Sequence, residues 1–556
     1  MKSKLMMVLT FVLIISMVAS FSLVGCKEEA AEETAEETTE ETTEETTEET
    51  AEEAEEEEAA EEVEQPDTIV LGLGMAATTF DPAWMQGGNN VTAQNFIYDR
   101  LLILDADANV QPMLAESWEI SDDGMEYTLN IRDGVKFHDG TLVTAEAVKW
   151  NIDRRLDPEN TSEAATMWQY AESASVEGDS VIIKMKNPYP AMLDVMAGFC
   201  SYICSPNSVQ GEEFVPIGTG PYKLVEWVKN DYVTFESNPD YNVPNPFVDN
   251  PGEPYIKNVV LKTIPEAVAR KAALETGDAH FIAPSMSDTA EMMDDPDYNV
   301  YVHVRAGQII GLQMSHWNPP FDDVEVRRAL ASVIDRELIS EIAFEGIQSP
   351  AYAPYGSSLA YYDEELYKSW NPDYDPDGAI SILSAHGYTP DNPLEVDAYY
   401  FTGRQFYETF MTILKEEWSN VGIDANLIGL DYPAYIQKMA ELYEKPGEKP
   451  FVRCSVRGSN SALASMMIYK RPGAASMGIN AEFDAMLDET MQYSPGSENL
   501  KEGTQDLVKY LVSNSYYIPL ISPGWANFWA SRSDIDGLKF GLGTIEFYLN
   551  DVQKIK

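Results

Sequence analysis

Between Glu28 and Glu64 the chain uses only Glu, Thr, Ala and a single Val, with Glu-Glu-Thr-Thr recurring as a unit. Residues 28–64 carry 21 Glu and no cation. A tract with so little to bury repels itself and cannot join a core, so it is expected to stay extended. Its Ala-Glu-rich end near Ala51 to Glu62 has helix propensity, but stacked like charges oppose it. At full stretch it reaches at most about 130 Å, as a tether, a solubilising tail or both. Folding therefore starts near Pro66. The roughly 490 residues that remain exceed what one hydrophobic core organises, so two lobes or domains are expected.

Ahead of the tract, Lys2 and Lys4 precede an apolar run from Leu5 to Val24, broken only by Thr10, Ser16, Ser20 and Ser22. This pattern reads as an export signal, although hydrophobicity alone also fits a retained anchor helix. Leu23-Val24-Gly25-Cys26 resembles the lipobox of bacterial lipoproteins. The resemblance implies that residues 1–26 are a signal peptide with lipobox and that Cys26 is lipidated. The chain would then be held on the extracytoplasmic face of the cell membrane, each buried methylene adding about 0.8 kcal/mol. Cys200, Cys204 and Cys454 remain, an odd number, so at least one thiol is free. Phe199 to Cys204 is apolar with no His nearby, which suits buried thiols better than a metal site. If extended, that stretch separates Cys200 and Cys204 by about 13 Å, too far for a mutual disulfide.

The formal net charge is −56. Lys and Arg form no cluster, which argues against nucleic acid as a partner. The five His, at 138, 280, 303, 316 and 386, form no His-Glu-x-x-His or close ligand pair. There is no Gly-x-Ser-x-Gly elbow and no Walker-type phosphate loop. Gly218-Thr-Gly220 runs into Pro221-Tyr222, which cannot open the helix of a dinucleotide site, so it reads as a backbone turn. Two stretches imitate a calcium loop. Asp373-Tyr-Asp375-Pro-Asp377-Gly378 has Ser384 where the bidentate Glu belongs, and Asp105 to Glu116 has Val110 in place of the turn Gly. Caps and turns account for both. The 93 acids make any chosen pair for glycoside hydrolysis uninformative. No catalytic residue, metal ligand or cofactor is assigned.

Thr68 to Leu73 reads as a buried strand, and Tyr127, Leu129 and Ile131 alternate with polar residues as in a half-buried one. Asp123-Gly124, Asp133-Gly134 and Asp139-Gly140 mark tight turns of a meander. Thr144 caps a helix with Glu146 in its first turn. Val326, Leu330, Val333, Ile334, Leu338 and Ile342 have helical spacing, which predicts one amphipathic helix across Asp323 to Phe344. Phe406, Phe410, Ile413, Leu414 and Trp418 predict another. Alternation of strands and helices in both halves suggests an α/β chain of two lobes.

Several segments point to one family: Phe80-Asp-Pro-Ala83, Tyr98-Asp-Arg-Leu-Leu102, Pro112-Met-Leu-Ala-Glu-Ser-Trp118, Gly134-Val-Lys-Phe-His-Asp-Gly-Thr141 and Val143-Thr-Ala-Glu146. Gly218-Thr-Gly-Pro-Tyr-Lys223, Asn238-Pro-Asp-Tyr241, Ala273-Leu-Glu-Thr-Gly-Asp278, Val326-Arg-Arg-Ala-Leu330 and Tyr374-Asp-Pro376 continue the pattern. Together they resemble the solute-binding family 5 proteins, which serve dipeptide, oligopeptide and nickel importers. The resemblance covers nearly everything after the tether. It implies a two-lobed clamp of the periplasmic-binding-protein type, the large type II variant, which closes on its ligand by a hinge. The expected boundaries are residues 66–305 plus 522–556 for lobe one, with an inserted subdomain at about 100–216, and 306–521 for lobe two. Crossings between lobes are placed at Tyr301 to Met314 and Tyr516 to Ser522. His138, in the Phe-His-Asp-Gly turn, is expected to be structural.

The same resemblance implies a monomeric binding subunit, not an enzyme, that delivers its ligand to the permease and ATPase subunits of an ABC importer. Peptide-binding relatives often hold the ligand's amino end on an Asp in a Trp-rich segment and its carboxyl end on an Arg. Thr402-Gly-Arg404-Gln-Phe406 resembles the Arg segment, and Arg404 suits bidentate capture of a carboxylate. A surface salt bridge is the alternative for it. The other segment corresponds to Val452 to Ala462, where Arg457 and Asn460 stand and neither the Trp nor the Asp is present. This departure puts free dipeptides in doubt and favours an acidic or neutral ligand, such as an acylated peptide or a sugar. Gln86, Asn89 and Asn90 lie in the loop after the first strand, where relatives line the cleft. Trp84 and Trp525 are candidates for stacking on a ligand or for core packing. No His or Cys cluster apart from Cys454 supports nickel. A secreted hydrolase and a surface sensor on the same fold are the readings from other classes.

Overall fold

The computed structural model describes residues 67–84, 88–304, 308–402, 405–444, 449–457, 459, 461–470, 478–522, 526–542 and 546–554. Cys26, Gln86, Arg404, Asn460 and Trp525 lie outside the described residues, as do the side chains of Asn89 and Arg457.

Among the described residues, three large sheets organise the chain. The first has seven strands, in spatial order Tyr222–Val228, Tyr232–Ser237, Asn258–Thr263, Thr68–Leu73, Phe281–Ile282, Ala526–Arg532 and Tyr298–Val304. Thr68–Leu73 sits at its centre, parallel to Asn258–Thr263 and Phe281–Ile282. Ile69 and Leu71 lie on one face and are fully buried, while Thr68 and Val70 on the other face are half-buried. The second sheet has six strands, ordered Ser349–Pro350, Tyr517–Ser522, Ile309–Met314, Phe451–Arg457, Leu394–Phe401 and Ile423–Leu430. The third is antiparallel, ordered Ala115–Ile120, Glu126–Ile131, Ser180–Met185 and Ala171–Glu177, so it is two hairpins joined out of sequence order rather than the expected meander, and of the three Asp-Gly turns Asp123-Gly124 alone joins two of its strands.

One hydrophobic core gathers Leu71, Phe96, Leu129 and Trp168 with Trp529 and Val552 from the far end of the chain. A separate core gathers Leu312, Leu330, Phe410, Trp418 and Ile521. The two cores make the two lobes. The C-terminal segment is fastened to the first by a buried ion pair. Arg100 Nη1 donates to Glu546 Oε1 and, at 3.0 Å, to the Ala197 carbonyl, while Nη2 donates to the Tyr548 hydroxyl at 3.1 Å. Removing one partner of such a buried pair leaves an uncompensated charge and costs about 3–5 kcal/mol.

Local chemistry sets the elements. Thr144 caps Ala145–Leu156 by accepting from the Ala147 amide at 3.3 Å. Gly124, Gly134 and Gly140 take φ of +67°, +77° and +83°, the left-handed geometry that their Asp-Gly turns need. The helix expected across Asp323 to Phe344 is two helices, Val324–Ser332 and Arg336–Ala343. Asp335 breaks it. Its carboxylate accepts from the Leu338 amide at 3.0 Å, so it caps a new helix rather than continuing the old one. The break also turns Ile342 outward, to 52% exposure.

Asp375 caps Pro376–Ala385, and Asp105 accepts from the amides of Asp107 and Asn109, so both calcium-like stretches are a cap and a turn. Cys200, Cys204 and Cys454 are free and buried. Cys200 lies in a short helical turn, Phe199–Ser201, rather than in extended chain.

Candidate ligand cleft

The register of the two main sheets shows where a ligand can meet both lobes. In the first sheet, Thr68–Leu73 and Phe281–Ile282 run parallel, and Ile282 pairs with Ala530 of the antiparallel strand that starts at Ala526. Leu73, Ile282, Val304 and Ala526 therefore lie toward one edge, with Val304 paired to Ala526. In the second sheet, Leu394–Phe401 runs parallel to Phe451–Arg457, and Ile309 pairs with Arg457. Phe401, Arg457, Ile309 and Ser522 thus share an edge. The chain passes between the sheets twice, from Val304 to Ile309 and from Ser522 to Ala526. Both passages join these two edges.

Open α/β sheets hold ligands beyond the carboxyl ends of their parallel strands. The segment of Arg404 follows Phe401, and that of Asn460 follows Arg457. The loop of Trp84 and Gln86 follows Leu73 and leads into the helix Gly88–Ile97, which, contrary to expectation, carries Asn89 and Asn90; Trp525 follows Ser522 in the second passage. Among the described residues, Phe401, Arg457 and Leu73, which lead into these segments, lie at the ends of the sheets that carry the passages.

The loop after Leu73 is held from several sides. Asn90 is fully buried, and its Oδ1 accepts from the Thr78 amide at 2.7 Å, the Thr79 amide at 3.1 Å and the Thr78 hydroxyl at 3.2 Å. Gln94 Nε2 donates to the Thr79 carbonyl at 3.1 Å, and the Tyr98 hydroxyl to that of Phe80 at 2.8 Å. Arg154 pairs with Asp81 at 2.5 Å, while Asn160 Nδ2 and Ser162 Oγ donate to the Ala83 carbonyl at 2.8 and 2.9 Å. At the end of this frame stands Trp84, 43% exposed. A large aromatic offered to solvent from a braced loop is preorganised for stacking. From the helix Gly88–Ile97, Asn90 shapes the loop with its side-chain carbonyl oxygen.

Behind the loop, the Gly218-Thr-Gly220 turn lies so close to Ile97 that a Cβ on Gly218 would fall 1.9 Å from the Ile97 carbonyl oxygen. Tyr222 then opens a strand, so no helix follows the glycines. His138 Nε2 lies 3.0 Å from the Gly220 carbonyl oxygen, and burial lowers its pKa to about 4, which keeps it neutral and structural. In the second sheet Arg453 is buried and donates to Gln313 Oε1, its guanidinium 5.3 Å from the Tyr443 ring centroid. It belongs to the packing of that sheet. No group of three or more His, Cys, Asp or Glu among the described residues is arranged to hold a metal ion.

Sequence reasoning missed the brace around the loop. Phe80-Asp-Pro-Ala83 was legible as a motif, but Arg154, Asn160 and Ser162 reach it from elements that no local pattern connects to it. Asn90→Ala should remove the acceptor shared by the part-buried amides of Thr78 and Thr79, costing about 1 kcal/mol. Thermal unfolding should show that loss, and hydrogen exchange should show faster exchange at Thr78 and Thr79. Unchanged exchange there would mean that the loop does not depend on Asn90.

Residues 109–445 match the family of bacterial extracellular solute-binding proteins, family 5 Middle. The glutathione-binding protein GsiB of Escherichia coli K12 is 27% identical over 474 residues, covering 82% of this chain and 88% of GsiB. Among solved structures, the ABC transporter substrate-binding protein CtaP of Listeria monocytogenes superposes with a TM-score of 0.76 at 19% identity, covering 89% of this chain and 100% of CtaP. NikA of Brucella suis, solved with Fe(III)-EDTA, gives 0.74 at 22%, covering 88% and 100%. These structures share the two-lobed α/β fold. The family match, spanning more than half of the sequence, closes the argument: this chain belongs to family 5 of the bacterial extracellular solute-binding proteins, the substrate-binding subunits of ABC importers.

Proposed function

We propose that the chain captures a peptide-class solute between its lobes, closes on it by a hinge and delivers it to a membrane permease driven by an ATPase subunit. Lobe one comprises residues 66–305 and those after Ser522, with the subdomain at about 100–216 inserted, and lobe two comprises 306–522, since Tyr517–Ser522, expected as a crossing, is a strand of the second sheet. The protein acts as a monomer and as a binder, not an enzyme. One observation carries the reading. Val304 pairs with Ala526 in one sheet and Ile309 with Arg457 in the other, so both connections between the sheets leave from one end of each, which supports a ligand site there. Closure gains contacts from both lobes that neither open edge offers alone.

In this reading Arg404 holds a carboxylate bidentately, and Trp84 and Trp525 stack on ligand side chains or rings. Gln86 and Asn89 add polar contacts. Arg457 and Asn460 take the place of the acid that would neutralise a ligand's ammonium group, so the preferred ligand has an acidic, acylated or neutral amino end. That specific departure also supports a second reading, an acidic solute or oligosaccharide in the same cleft. GsiB, named for binding the tripeptide glutathione, supports the peptide class.

A thermal-shift screen of residues 66–556 against free peptides, acylated peptides, oligosaccharides and Ni²⁺ tests the assignment. A ligand at 100 times its Kd stabilises the fold by about 2.7 kcal/mol. A peptide shift that Arg404→Ala abolishes is expected. Shifts with sugars alone would contradict the peptide reading.

We further infer that Cys26 is lipidated and tethers the binding lobes to the membrane through the Glu-rich tract. A palmitate analogue fed to expressing cells should label the chain and not its Cys26→Ser variant. Equal labelling of both would refute the anchor.

A further inference from the structure

The end of the second sheet that both passages enter carries three polar side chains with nothing to bond. Ser349 pairs with Ser522 and Ile310 with Ile521, both antiparallel, so the strands Ser349–Pro350, Tyr517–Ser522 and Ile309–Met314 are neighbours. Gln348 stands one residue ahead of the first strand, Ser522 closes the second, and Gln308 stands one residue ahead of the third. Register therefore places all three at the same end. Gln308, Gln348 and Ser522 are 7%, 2% and 7% exposed. Even so, the side-chain oxygens of both Gln and the Ser522 hydroxyl have no hydrogen-bond partner.

Buried polar atoms are ordinarily bonded, and leaving one unmet opposes folding. Slack backbone does not account for these. The Ser340 hydroxyl donates to the Gln348 carbonyl, and the Ala351 amide donates to the Leu520 carbonyl at 3.0 Å, so the strand ends are fixed. Unmet polar groups on a fixed backbone suit a site that is built before its ligand arrives. The unmet atoms are two amide oxygens, which accept, and a hydroxyl, which accepts or donates. What completes them must offer hydrogens. Three neighbouring strand ends span about 10 Å, the reach of about three extended residues, and an extended peptide presents N–H groups along that length.

We propose that Gln308, Gln348 and Ser522 form a ligand subsite that receives backbone N–H groups of a bound peptide. The inference rests on the peptide-class capture proposed above and deepens it by naming residues that hold the ligand's main chain rather than its ends. It also bears on the amino end. No Asp stands between Val452 and Ala462, whereas this subsite offers neutral acceptors. An acylated amino end keeps its N–H and loses its charge, so it is matched by these acceptors without a counter-ion. Sugar hydroxyls offer hydrogens too, and the test separates them from amides.

Thermal unfolding of the full chain and of Gln308→Met, Gln348→Met and Ser522→Ala tests this. Each protein is melted alone, with a mixed-sequence pool of N-acetylated tetrapeptides, with the same pool N-methylated along its backbone, and with maltotetraose. Alone, each variant should unfold about 1–2 °C above the wild type, because an unmet buried group has been replaced by an apolar one. The acetylated pool should raise the wild-type Tm, and that rise should shrink by at least half in each variant. The N-methylated pool, which lacks the N–H groups, should give the wild type no larger rise than it gives the variants. Variants that unfold several degrees lower when alone would overturn the subsite, since the three groups would then be bonded within the fold. Equal rises in wild type and variants would also overturn it while leaving peptide capture intact. A pool that shifts no protein, or a shift with maltotetraose alone, would instead contradict the peptide reading and, with it, the occupant assigned here.

Discussion

The double passage between the two sheets is the constraint on which the rest of the molecule depends. Because Val304 pairs with Ala526 in one sheet and Ile309 pairs with Arg457 in the other, both connections leave and arrive at matching edges. Two connections at one place restrict relative motion far more than one and leave a bending movement as the soft coordinate. The same edges carry the carboxyl ends of the parallel strands. The loops that follow those strands are therefore delivered to the gap between lobes whatever their sequences are, and specificity can change without changing the fold.

A binding loop on such an edge must be stiff to be useful, since ordering it on binding costs affinity. The inserted portion meets that need from outside the sheet. Arg154, Asn160 and Ser162 hold the turn at Asp81 to Ala83, while Asn90 holds Thr78 and Thr79 from within. The buried Arg100 and Glu546 pair then connects the insertion with the C-terminal segment. In this arrangement the residues from Arg154 to Ser162 brace the loop after Thr68–Leu73.

Much of the fold was legible in the sequence because its signals are local. Thr144 caps its helix and the Asp-Gly pairs turn where their chemistry directs. His138 is neutral and structural because its neighbours are the backbone of a turn. The helix across Asp323 to Phe344 was misread for a physical reason. Apolar spacing persists through Val333 and Ile334, both buried, while one carboxylate at Asp335 ends the first helix and starts the second. The site was legible only as segments. Arg404, Arg457 and Asn460 stand out by type and neighbourhood, and strand register shows that the strands ahead of them, Leu394–Phe401 and Phe451–Arg457, run parallel.

The central claim is that the two edges close on a ligand. Val268 and Ile436 are exposed, at 80% and 48%, on helices of lobe one and lobe two, and the native thiols are buried. Dyes at Val268→Cys and Ile436→Cys therefore report lobe separation by energy transfer. Addition of a peptide that binds the chain should shift the transfer efficiency in one saturable step, with a midpoint at that peptide's Kd. Binding of the same peptide with unchanged efficiency would contradict the clamp.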